Sequence, residues 1–147
     1  MRTPPLSDQQ FADLLAFRVA LRRFLVWSED TASAAGLTAA QHQLLVAVRG
    51  HPDLEGPTIS DVADYLLIRH HSAVGLIDRA ETAGLVHRQA DATDLRVVRI
   101  RLTELGTQRV ELLARSHLQE LARIEPILRN LLAETSMAHW QPSGEEN

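Results

Sequence analysis

Arg69, His70, His71 and Ser72 form a run of four side chains that can all hydrogen-bond. At the first turn of a helix such a run suits base edges and phosphates: Arg can fork onto guanine, and His or Ser can meet either base or backbone. A polar, solvated helix start is the plain alternative. The two histidines are not read as a metal pair, because adjacent residues diverge by about 100° on a helix. Gly75 costs about 1 kcal/mol relative to Ala within a helix. It either lets that helix approach a sugar–phosphate backbone or is merely tolerated. Asp94 and Arg96 form a second group, two residues apart. A guanidinium there suits a narrow minor groove, with Asp94 ordering the turn; a surface ion pair of little energetic worth is the alternative. Arg88 reads as a phosphate contact. Arg79 reads either as a phosphate clamp or as a structural partner of Asp78 or Asp94.

Other chemistries fail on inventory. Cysteine is absent, which removes disulfides, thiol redox and cysteine-based metal sites. There is no Gly-rich phosphate loop, no supported Ser/His/Asp spacing and no paired carboxylates in a plausible cleft, so no enzyme and no cofactor are expected. No apolar run reaches the length of a membrane span. Met1-Arg2-Thr3-Pro4-Pro5 is followed by no apolar signal core, so a cytoplasmic location is expected. The net charge is −4, yet Arg69 to Arg101 holds six arginines against four acids and three of the seven histidines. That strip is +2 on a body of −6, a weak pattern for meeting a polyanion. All fifteen basic residues are arginine, which reads as composition bias.

The elements that must carry these residues follow from caps and periodicity. Ser7 to Gln10 fits a capping box, and Phe11, Leu14, Phe17, Leu21 and Phe24 recur at helical spacing to about Glu29, with Gly36 closing the region. Thr38 with Gln41 starts a second helix, which Gly50 and Pro52 stop. Thr58 with Asp61 caps a short third helix to about Leu67, and a fourth spans about His70 to Ala83. Leu85–Gln89 and Arg96–Leu102 then alternate as a hairpin around a small polar tip, Ala90 to Asp94. Thr103 caps a last helix. Its seam of Val110, Leu113, His117, Leu121, Ile124, Leu128 and Leu131 is too long for so short a chain and suggests a helical partner. Pro126 is expected to kink or divide it. The order predicts a mainly α fold with a small β-hairpin wing, the winged helix-turn-helix, whose second helix enters the major groove.

Leu37-Thr38 with Gln41, Asp78 to Glu81 with Gly84-Leu85-Val86, and above all Asp94-Leu95-Arg96 followed by Ile100 to Leu102, Thr103 and Gly106 resemble the MarR family of bacterial regulators, over about residues 10 to 134. Ala80 departs from that family's more usual Leu. The resemblance implies one domain, with dimerisation helices at about 8–35 and 104–138, a winged-helix DNA-binding part at about 37–102 and a disordered tail at 141–147. It implies a homodimer on a pseudo-palindromic duplex, acting as a ligand-responsive regulator, a repressor. The implied effector pocket involves Phe17, Trp27, His42 and His117 and would take a small aromatic or anionic molecule. Plain packing and a metal site are the other readings of the two histidines; without supporting spacing, no metal is assigned. His51, His87 and His139 are read as surface residues. Two rivals remain: a metal-responsive regulator, and a winged-helix protein-interaction module. The latter would carry acidic or apolar residues where Arg69 to Ser72 stand.

Overall fold

The computed structural model describes residues 4–139, and side chains through Ala133. Five helices and one hairpin follow in the order α1 (Asp8–Ala34), α2 (Ala39–Gly50), α3 (Ile59–Leu66), α4 (His70–Thr82), β1 (Val86–Ala90), β2 (Val98–Leu102) and α5 (Glu104–His139). The fold is the expected winged helix: mostly helical, with a two-stranded antiparallel wing. No helix among the described residues is long and apolar enough to cross a membrane.

Local chemistry sets the boundaries. Thr38 and Thr58 each accept the backbone N–H of the residue three positions on, while Gln41 and Asp61 accept the cap's own N–H in return, so both capping boxes form. Ser7 and Gln10 do the same ahead of α1. Leu67 ends α3 in the left-handed conformation, φ 54°, and two residues later Arg69 opens α4. Thr103 donates its hydroxyl to the Gly84 carbonyl at 2.6 Å and accepts the Gly106 N–H at 3.0 Å, which pins the start of α5 to the strand entry.

The chain divides into two compact units, one of Met1–Trp27 with His117–Asn147 and one of Ser28–Ser116. The second is the winged helix and is larger than the 37–102 expected. Its core holds Leu44, Leu45, Val62, Leu76, Ile77, Val86 and Ile100, and also Ala32 of α1 and Val110 and Leu113 of α5. The ends of both long helices therefore belong to it. Arg109 donates to the Ala35 carbonyl, closing the end of α1 with a cation where the helix dipole is negative.

Three expectations are corrected. The helix α1 runs to Ala34 rather than Glu29, because Ala32 is fully buried in the core and extends the packed face. The helix α5 passes through Pro126 undivided: one proline removes one ladder bond, and the flanking turns continue. The apolar seam is also not one surface, since Val110 and Leu113 are core while Leu121 and Leu128 stay exposed. The expected disordered tail lies outside the described residues.

Candidate nucleic-acid interface

Arg69, His70, His71 and Ser72 all stand exposed at the start of α4, as does Arg79 one face-repeat further on. Ala73, Leu76, Ile77 and Ala80 fill the opposite face and are buried, so core packing fixes the polar side outward. Unlike α2 and α3, α4 has no side-chain cap: Arg69 occupies the N-cap position, and only its backbone carbonyl, which accepts the Ala73 N–H at 3.0 Å, bonds the helix. The first amides of α4 and their positive dipole end therefore face the same side as the cations. Gly75 is half-buried, and the Arg79 guanidinium lies back over it, 3.3 Å from where a Cβ would stand. Arg79 makes no ion pair among the described residues, so neither proposed acid partner holds it.

Arg88 is corrected. Its guanidinium binds Asp78 at 2.6 Å and Glu81 at 2.9 Å, and its backbone N–H donates to Glu81 at 3.0 Å. Burial pulls its pKa down, but the two carboxylates outweigh that and raise it. A cation already neutralised twice has little attraction left for phosphate. Two-residue alternation puts Arg88 on the same face of β1 as buried Val86, but the partner on that face is set by the fold.

The wing pairs Val86 with Leu102, Arg88 with Ile100 and Ala90 with Val98. The second strand begins at Val98 rather than Arg96, because Asp94 first folds the chain back. Its carboxylate accepts the Arg96 N–H and the guanidinium Nε, both at 3.1 Å, and its carbonyl accepts the Val97 N–H at 3.0 Å. The Arg96 guanidinium holds the Asp94 carboxyl below its usual range. The Arg96 side chain is nonetheless 91% exposed at the tip.

Sequence reasoning missed Asp91, which is 6% exposed. It accepts the Asp94 N–H at 3.0 Å, Arg99 Nε at 2.8 Å, and both the N–H and hydroxyl of Thr93. The Asp94 backbone first, and Arg99 second, hold its carboxyl well below the ordinary carboxylate range. A depressed native pKa stabilises the tip above the unfolded value of about 4, and that contribution fades as pH falls further. The Thr93 and Asp94 amides should thus keep constant protection from exchange from about pH 8 to pH 5 and lose it only below about pH 4. Loss of protection between pH 5 and 7 would refute this.

Of the four residues expected to line an effector pocket, Phe17, Trp27 and His117 belong to the unit of long helices and His42 to the winged-helix unit. Trp27 and His117 meet at 4.8 Å between ring centroids with their planes tilted by 57°, and Phe24 lies 5.9 Å from each, in the unit of long helices. Phe17 is half-buried on the same α1. His42 is buried. Among the described residues no three His, Asp or Glu side chains group as a metal site. His51, read as a surface residue, in fact meets the Tyr65 hydroxyl at 2.7 Å through Nδ1, and its side chain is 10% exposed.

Residues 35–96 match the MarR family. No curated protein matches the chain. The fold is shared with AbsC, a MarR family transcriptional regulator from Streptomyces coelicolor: 25% identity, TM-score 0.68, covering 92% of this chain and 93% of that one. CouR from Rhodococcus jostii RHA1, bound to p-coumaroyl-CoA, is similar at 24% identity and TM-score 0.68, over 94% of this chain and 100% of CouR. A MepR mutant from S. aureus bound to an oligodeoxyribonucleotide is similar at 22% identity and TM-score 0.63, over 85% and 96%.

Proposed function

On the MarR-family winged helix of residues 35–96, we propose a transcription regulator, a repressor that binds a pseudo-palindromic duplex as a homodimer. In each copy the first turn of α4 enters the major groove, with Arg69, His70, His71 and Ser72 toward base edges and phosphates and Gly75 allowing close approach. The wing tip brings Arg96, oriented by Asp94, to the neighbouring minor groove. Arg79 takes the phosphate role that the ion pairs of Arg88 leave open. The observation that carries this is the exposure of Arg69 to Ser72 on an uncapped helix start, in the same unit as the exposed Arg96.

The homodimer rests on the other unit. Leu15, Leu25, Leu118 and Leu132 are 62%, 55%, 68% and 53% exposed, and Phe11, Leu14, Leu121 and Leu128 are also open to solvent. Two long helices with that much bare apolar surface call for a helical partner, and a second copy supplies a matching one. Two recognition helices about 34 Å apart would then meet successive major grooves. A small aromatic or anionic effector would bias that spacing, with Phe17, Trp27 and His117 as candidate contacts; the likeness to CouR with its bound ligand supports this.

Fluorescence anisotropy with the gene's own upstream DNA tests the wing. Arg96→Ala should weaken operator and non-operator DNA alike and reduce the salt slope by about 1 per copy. An unchanged slope would remove Arg96 from the interface. Substitution of His70 or His71 should instead alter sequence preference.

A further inference from the structure

The wing tip is tied down from a distance. Arg99 binds Asp91 through Nε at 2.8 Å, donates Nη1 to the Gly56 carbonyl at 3.2 Å and lies 3.8 Å from Asp53. Gly56 is 43 residues from Arg99 in sequence, in the connection between α2 and α3. That connection also touches the wing along its backbone, with the Ile100 N–H donating to the Pro57 carbonyl at 2.8 Å and a single bridge between Thr58 and Arg99. The links then run in series. Arg99 holds Asp91; Asp91 holds the Thr93 and Asp94 amides; Asp94 holds the Arg96 backbone and guanidinium.

Apart from this series, the tip is closed only by backbone bonds, the Asp91 N–H to the Val97 carbonyl at 2.9 Å and the Val97 N–H to the Asp94 carbonyl at 3.0 Å. Leu95 is 80% exposed and Arg96 is exposed beside it, so apolar packing does not fix their positions. Asp91 is the buried member, and a buried carboxylate persists only with its lone pairs engaged. Arg99 supplies a planar fork that reaches a carboxylate and a carbonyl together, which Lys cannot reproduce.

We propose that Arg99 and Asp91 are positioning residues for DNA binding: they latch the wing tip to the α2–α3 connection so that Arg96 is presented in one conformation. This rests on the DNA role proposed above and adds to it residues that touch no DNA themselves.

A double-mutant cycle on the full chain tests the latch, with duplex affinity measured by anisotropy and tip order by amide hydrogen exchange. Arg99→Gln should weaken DNA binding about tenfold with Arg96 present and less than about twofold in an Arg96→Ala background, because a latch acts only through the group it holds. The Thr93 and Asp94 amides should exchange at least about tenfold faster in Arg99→Gln, while the amides of the α4 core keep their protection. Arg99→Lys, which keeps the charge and folds if charge alone matters, should lie between wild type and Arg99→Gln. Equal losses in both backgrounds, or unchanged tip exchange, would overturn the proposal. Absence of wild-type binding to any duplex would instead sink the DNA role, and with it the latch's purpose; faster tip exchange in Arg99→Gln would tell that failure apart from failure of the latch.

Discussion

Gly56→Ala should destabilise the winged-helix unit by on the order of 4 kcal/mol, a large share of the roughly 5–15 kcal/mol that holds an ordinary domain folded. Two effects combine. Gly56 has φ +90°, a region that L side chains rarely adopt, and a Cβ there would stand 2.0 Å from the Ile100 carbonyl oxygen. That oxygen belongs to β2 of the wing, and Ile100 is fully buried, so it cannot step aside without moving the core. The connection would have to lift from β2, breaking the bond from Arg99 to the Gly56 carbonyl and the bond from Ile100 to Pro57. Gly50→Ala is the control. Nothing lies within 4 Å of its added Cβ, and it sits in the last turn of α2, so it should be neutral or slightly stabilising. Urea unfolding measures both. Equal midpoints for the two variants would mean the close approach at Gly56 does not constrain the fold.

Leu118→Glu combined with Leu132→Glu should convert a dimer to monomer and lower duplex affinity by on the order of a hundredfold or more, since two half-sites would then be bound one at a time. The two leucines share one exposed face of α5 with Leu121 and Leu128, at spacings of three, seven and four. Each added carboxylate costs little in an isolated chain, where these side chains already face water. In a dimer it would be buried opposite apolar groups, and the cost falls wholly on association. Helix content and the unfolding midpoint of the winged-helix unit should stay near wild type, because neither residue belongs to that core. Leu54→Glu, at a side chain 92% exposed in the α2–α3 connection, should change neither association nor fold. Sedimentation equilibrium decides; a double variant that remains dimeric would place the interface elsewhere.

What the sequence made legible was local. The capping pairs Thr38 with Gln41 and Thr58 with Asp61 act over three residues, so their types and spacing suffice to place two helix starts. The alternation of Val98, Ile100 and Leu102 and the small residues at the tip placed the wing. The outward placement of Arg69 to Ser72 followed from the buried residues spaced three and four apart behind them. Pairings across the fold were harder to see. Arg88 and Arg99 look alike in sequence, yet one closes on helix α4 and the other on Asp91 and the α2–α3 connection. Asp91 read as one more polar residue at a hairpin tip, because its burial comes from Arg99 eight residues later. The seam of α5 gave the right periodicity but no sign that Val110 and Leu113 would enter the winged-helix core while the later leucines remained bare. Periodicity names a face and leaves its partner open.

Sedimentation velocity of the chain mixed with its own upstream duplex, in low-salt buffer and again at raised salt, tests the central claim most directly. A single complex with the mass of two chains on one duplex is expected at about 50 mM salt, dissociating steeply as salt rises through about 200 mM. Chain and duplex sedimenting independently at the lower salt, or one chain per duplex under saturating protein, would contradict it.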